Sequence, residues 1–170
     1  MKVKDWEATK REIEKDNLLQ SRTASRAKRT YQELSQRLQV LTDDELELLV
    51  EGDLQEQKYL LWFNVCSYYQ FIHDFAVEVV HEKFLRMDYQ LTDFDYSAFY
   101  NTKADDHPEL ELITDSTKDK LKQVILRMLQ EAGITNDEAR ILPALLSNRL
   151  INSLKRREII DLRIFPMVVQ

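Results

Sequence analysis

Only two glycines, Gly52 and Gly133, occur in 170 residues, with three prolines, Pro108, Pro143 and Pro166. An all-β chain needs a turn every few residues, and glycine, proline and asparagine supply most turn conformations. So few breakers point to long uninterrupted helices. Two glycines also cannot build a phosphate-cradling loop or a dinucleotide-binding fingerprint.

The apolar spacing agrees. The first helix is expected over about Trp6 to Lys15, capped by Asp5, and ends where "KDNLLQS" lets side chains compete for backbone hydrogen bonds. The second runs from about Thr23 to Gln39. Its stripe Ala24, Ala27, Tyr31, Leu34, Leu38 and Leu41 has gaps of three and four, the helical period. Thr42 to Glu45, "TDDE", reads as a capping box for a third helix that stops at Gly52. Asp53 caps a fourth, carrying Leu54, Tyr59, Leu60, Trp62 and Phe63, with a break near Tyr69. A further stripe holds Ile72, Phe75, Ala76, Val79, Val80 and Phe84. Thr92 caps a short helix with Phe94, Tyr96, Phe99 and Tyr100, and "ADDHPE" reads as a loop. Ser116 or Thr117 opens a long helix whose Leu121, Val124, Ile125, Met128 and Leu129 face the core, up to Gly133. The remainder reads as one more helix and an extended apolar tail. The expected fold class is all-α: a compact multi-helix bundle in one domain, with a minor strand pair or that tail as its only irregular part. It divides into a basic N-terminal part, 1–52, and a helical core part, 53–170.

Little chemistry is visible. Cys66, the single cysteine, cannot pair within the chain, which suits a reducing, cytoplasmic compartment. Its neighbours Trp62, Phe63 and Tyr69 make it a desolvated, inert thiol. His73 and His81 stand two helical turns apart, and no metal-ligand constellation accompanies them. "SRAK" at Ser25–Lys28 matches a serine–lysine catalytic pattern, but the partner motifs are absent. The apolar segment Tyr59–Val80 contains Asn64, Gln70, His73, Asp74 and Glu78, which are costly in lipid. Neither an enzyme, a metal protein, a cofactor protein nor a membrane protein is expected.

Charge is the informative feature. Residues 1–41 hold ten Lys or Arg against six Asp or Glu, and the rest hold fourteen against twenty-four. Five cations fall between Arg22 and Arg37: Arg22, Arg26, Lys28, Arg29 and Arg37. On a wheel of about 100° per residue with Tyr31 at zero, the four arginines fill a sector of about 80° opposite the apolar stripe. Lys28 lies at the stripe's edge. Guanidinium forks bind phosphate oxygens or a guanine edge, and Ser21, Thr23, Ser25 and Gln32 add neutral hydrogen bonds. The competing reading is a solvated face, since Glu33 is four residues from both Arg29 and Arg37. A second basic group, Lys155–Arg157 with Arg149 and Arg163, tilts the balance slightly toward nucleic acid and matters only if the fold brings both groups to one side.

These motifs, in their order, resemble a family. "DWEATKREIEKDNLLQSRTASRAKRTYQELSQRL", "LTDDELELLVEGD", "FIHDFAVEVVHEKFL", "HPEL" and "STKDKLKQVILRMLQEAGI" are similar to BrxA, the small protein of bacterial BREX phage-exclusion systems. The resemblance runs from Trp6 to about Leu150. It implies a soluble, all-helical, non-catalytic protein with a fold similar to that of the antitermination protein NusB. It implies binding to double-stranded DNA and work beside a BREX methyltransferase, a phosphatase-like protein and an ATPase. The family's basic helix-opening motif maps onto Arg22, Arg26, Lys28 and Arg29. Family members usually carry a further apolar segment before the tryptophan motif; here Trp6 follows Met1 by five residues. The alternatives are an interaction scaffold of the same complex without DNA contact, and an RNA-binding factor.

Overall fold

A computed structural model describes residues 5–157 and 161–168. The end of the expected apolar tail, residues 169–170, and its approach at 158–160 lie outside the described residues. The chain groups into two compact units, 1–43 and 44–170.

The first unit is a helical hairpin. Helix α1 (Trp6–Asp16) starts on Asp5, whose carboxylate accepts the Ala8 N–H at 2.8 Å. It ends at Asn17, held in the left-handed region at φ 47°. The Asn17 carboxamide then ties the connection together, accepting the Ser21 N–H at 3.0 Å and donating to the Ser21 carbonyl at 3.2 Å. Helix α2 (Ala24–Leu38) starts on Thr23, whose hydroxyl accepts the Arg26 N–H. Its buried residues Ala27, Tyr31 and Ser35 recur every fourth position. Tyr31 donates its hydroxyl to the Trp6 carbonyl at 2.5 Å, which pins the start of α1 to the middle of α2. Burial, with Glu7 and Glu14 nearby, raises the Tyr31 pKa, so this donor stays protonated.

The second unit is built around α4 (Leu54–Tyr68), entered from α3 (Asp43–Glu51) through Gly52. A Cβ at Gly52 would stand 2.5 Å from the Leu48 carbonyl oxygen, so only glycine passes there. Asp53 and Glu56 close a capping box on α4. After Tyr69 the chain continues as α5 (Gln70–Phe75), a π-helical stretch (Ala76–His81) and α6 (Glu82–Leu85). Helix α7 (Asp93–Asp106) carries its own capping box from Thr92 to Asp95. The "ADDHPE" segment is no loop: α7 runs through Asp106, and α8 (Pro108–Glu111) restarts at once with proline in its first turn. Helix α9 (Asp115–Glu131) is capped by Thr114, two or three residues ahead of the expected Ser116 or Thr117, and buries Ile125 and Leu129 fully. Gly133, at φ 75°, ends that helix.

Among the described residues the strand pair is reduced to two isolated antiparallel bridges, Gln90 with Arg140 and Thr135 with Ile141. Helix α10 (Asn148–Leu154) follows, capped by Ser147. The C-terminal segment is then part of the core. Ile164 and Phe165 are almost wholly buried. The Trp62 indole N–H donates to the Ile164 carbonyl at 2.9 Å, and His81 Nδ1 meets the Phe165 carbonyl at 3.1 Å. Facing a carbonyl, that nitrogen must be the protonated one. The π turn makes this possible. It shifts the phase of the helix, so that Ala76, Val80 and His81 face inward and Val79 turns partly outward.

Candidate nucleic-acid interface

The five cations singled out near the N-terminus are not equivalent. Arg26, Lys28 and Arg29 are exposed on α2. Arg22 is exposed too, but it precedes the cap residue Thr23, so its position follows the connecting segment and not the helical wheel. Arg37 is drawn in: its side chain is 16% exposed and donates to Glu33 at 3.2 Å. Glu33 therefore neutralises the far end of the face. Among the described residues, no carboxylate lies within ion-pair distance of Arg22, Arg26, Lys28 or Arg29.

The first turn of α2 lacks an acid, as do those of α5 and α10. Helices α1, α4, α7 and α9 open with acids: Glu7, Glu56, Asp93 with Asp95, and Asp115. Acids there complement the positive end of the helix dipole. Helix α2 has none and places Arg26 at its third position. A cation in that turn is unfavourable by roughly 0.3–1 kcal/mol, which an approaching anion reverses.

The second basic group behaves differently. Arg157 holds the fully buried Glu45 with two hydrogen bonds, 2.7 and 2.5 Å, and stacks on the Phe63 ring. Arg156 pairs with Asp44, Arg149 with Glu51 at 3.5 Å, and Arg163 with Asp161 at 2.8 Å. These four arginines bind the chain's own acids and lend no support to a polyanion surface.

The remaining candidates for chemistry are committed to structure. A cavity of about 250 Å³ is lined by Cys66, Gln70, His73 and Asp161, among others. Burial and the Asp161 carboxylate push the Cys66 thiol well above its ordinary pKa, leaving it protonated. Gln70 donates to Asp74 at 2.6 Å, and His73 lies 3.4 Å from Asp161. Glu78 is bound by Lys103 at 2.6 Å and Glu82 by Arg86 at 3.6 Å. No group of three His, Cys, Asp or Glu among the described residues could hold a metal ion. No helix among them is long and apolar enough to cross a membrane.

The sequence model of one family, BrxA, matches residues 1–158. The chain belongs to the BrxA family. Two relatives bear the name BREX protein BrxA. That of Bacillus cereus (strain H3081.97) is 30% identical over 135 residues, 79% of this chain and 67% of its own length. That of Escherichia coli O9:H4 (strain HS) is 26% identical over 136 residues, 80% of this chain and 64% of its own. The matched region is thus about two thirds of the length of these BrxA relatives. A crystal structure of an uncharacterized protein from Magnetospirillum magneticum shares the fold, with a TM-score of 0.75 and 21% identity over 92% of this chain and 79% of that one.

Proposed function

We propose that this BrxA-family chain is a non-catalytic accessory protein of a BREX phage-exclusion system that binds double-stranded DNA through the N-terminal half of α2. One observation carries the reading. Arg22, Arg26, Lys28 and Arg29 stand exposed without carboxylate partners among the described residues, while Arg149, Arg156, Arg157 and Arg163 of the other basic group pair with the chain's own acids. A phosphate backbone supplies the missing counter-charge to such a set. The BREX assignment rests on the names of the relatives. On this reading the protein works in the cytoplasm beside a methyltransferase, an ATPase and a phosphatase-like protein. Contact with such partners suits the second unit, where Met87 and Phe94 are 77% and 78% exposed.

The test is a salt-titrated binding assay with duplex DNA, single-stranded DNA and RNA. Replacing Arg22, Arg26 and Arg29 by Gln keeps helix propensity and removes three charges. The variant should melt with the wild type. Its slope of log affinity against log salt on duplex DNA should be shallower by about 2.7, since each phosphate contact contributes about 0.9. Lys118 and Lys122, which lie near Asp115 and Asp93 at 3.9 and 3.2 Å, are the control pair. Their replacement should leave the slope unchanged. A triple variant that binds with the wild-type affinity and slope returns the face to a merely solvated one, and preference for RNA points to the RNA-binding alternative.

A further inference from the structure

The exposed face of α2 has an internal order that phosphate binding alone does not use. With Tyr31 at zero on the wheel, Gln32, Ser25 and Arg29 fall near 100°, 120° and 160°, about 100° per residue. Lys28 lies near 60° on one side of this group, and Arg26 near 220° on the other. The middle of the face thus carries side chains that hydrogen-bond with direction, and each edge carries a cation. Ser25, Arg29 and Gln32 are all exposed. The Gln32 carboxamide makes no hydrogen bond among the described residues.

From this order we infer that α2 lies in a major groove and reads base edges, with Arg29 and Gln32 as the specificity-determining pair. The inference rests on the duplex-DNA reading above and deepens it. A helix about 10–12 Å across fits a groove about 12 Å wide, whose two walls are both lined with phosphates. Lys28 and Arg26, on opposite edges, each face one wall. Between them the Arg29 guanidinium, whose charge still neutralises the phosphates flanking the groove, offers two parallel donors matching guanine O6 and N7. Gln32 offers a donor and an acceptor matching adenine N7 and N6. Three residues of helix rise about 4.5 Å, close to the roughly 3.4 Å of one base-pair step. The two side chains therefore reach neighbouring pairs, a G·C followed by an A·T. Farther along, the Glu33–Arg37 pair leaves the helix neutral. The reading end is thus the N-terminal one, as in helix-turn-helix proteins.

The experiment selects binders from a randomised duplex pool with the full chain, then measures affinities across a salt series. The wild type should enrich a site holding that two-pair step, favoured over a mismatched one by roughly 5- to 150-fold. Gln32→Ala should keep the salt slope, because no charge is lost, and should lose the preference at the A·T pair alone. Arg26→Gln and Lys28→Gln should keep the preference and each reduce the slope by about 0.9. Salt-dependent duplex binding without enriched sequence overturns base reading and leaves the DNA interface standing. A preference that survives Gln32→Ala overturns the assignment of that residue. Absence of salt-dependent duplex binding overturns both.

Discussion

A chain ending at Asp161 should fail to fold its second unit. The deleted segment contributes Ile164 and Phe165, 2% and 0% exposed, and Phe165 packs edge-on against Tyr59 at 5.5 Å. Truncating a buried phenylalanine costs about 3–5 kcal/mol and a buried isoleucine about 2–5 kcal/mol. The deletion also strands the Trp62 indole N–H and the His81 ring, whose acceptors are carbonyls of this segment. Each orphaned polar group costs about 1–3 kcal/mol more. Together these losses match the roughly 5–15 kcal/mol that holds an ordinary domain folded. The truncated chain should lose its cooperative thermal transition and its near-ultraviolet aromatic signal. Phe165→Ala alone should remain folded and melt roughly 6–20 °C lower, at about 2–4 °C per kcal/mol. A Phe165→Ala melting point within about 2 °C of wild type would show that the segment is not part of the core.

Breaking the Glu45–Arg157 pair has the second largest effect. Glu45 has no exposed side-chain surface, and its partner is 20% exposed. Replacing Glu45 by Ala leaves the guanidinium beside a cavity without its counter-ion, at a cost of about 3–5 kcal/mol. The melting temperature should again fall by roughly 6–20 °C. Replacing both residues by Met removes the charges together and fills similar volume, so the double variant should recover most of the loss. A Glu45→Ala protein as stable as the wild type, or a double variant worse than the single one, contradicts a structural pair. The residues have no part in the DNA reading, and a folded double variant should bind duplex DNA unchanged.

Much of the helical order was legible because local chemistry decides it. Asp5, Asp53 and Thr92 cap the helices they were expected to cap, and their hydrogen bonds reach only three residues. The break at Tyr69 and the stop at Gly133 are local in the same way. What lay hidden depends on partners distant in sequence. Glu45, expected as the end of a capping box, also has its carboxylate bound by a residue 112 positions away. The π turn moved His81 inward and Val79 partly outward, a phase change that a fixed helical period cannot register. Phe94 fits an apolar helix pattern yet stands 78% exposed. The C-terminal tail had no period to mark it as core, because its burial comes from Trp62, Tyr59 and His81.

The basic face was legible for a simpler reason: charge is read directly from residue type. Its internal differences were not. Only the fold shows Arg37 drawn onto Glu33, Arg22 standing ahead of the cap, and the Lys155–Arg157 group spent partly on acids of α3. Membership in the BrxA family gives the kind of system, and the proposed DNA contact draws on the cations that have no carboxylate partner among the described residues.

The measurement closest to the central claim is the affinity of the wild-type protein for duplex DNA between about 50 and 200 mM salt. Four unpaired cations acting on phosphates predict a slope of log affinity against log salt near −3.6, falling to about −0.9 when only Lys28 remains. A slope near zero, or one that the triple Gln variant shares, would contradict the claim that this face is a DNA-binding surface.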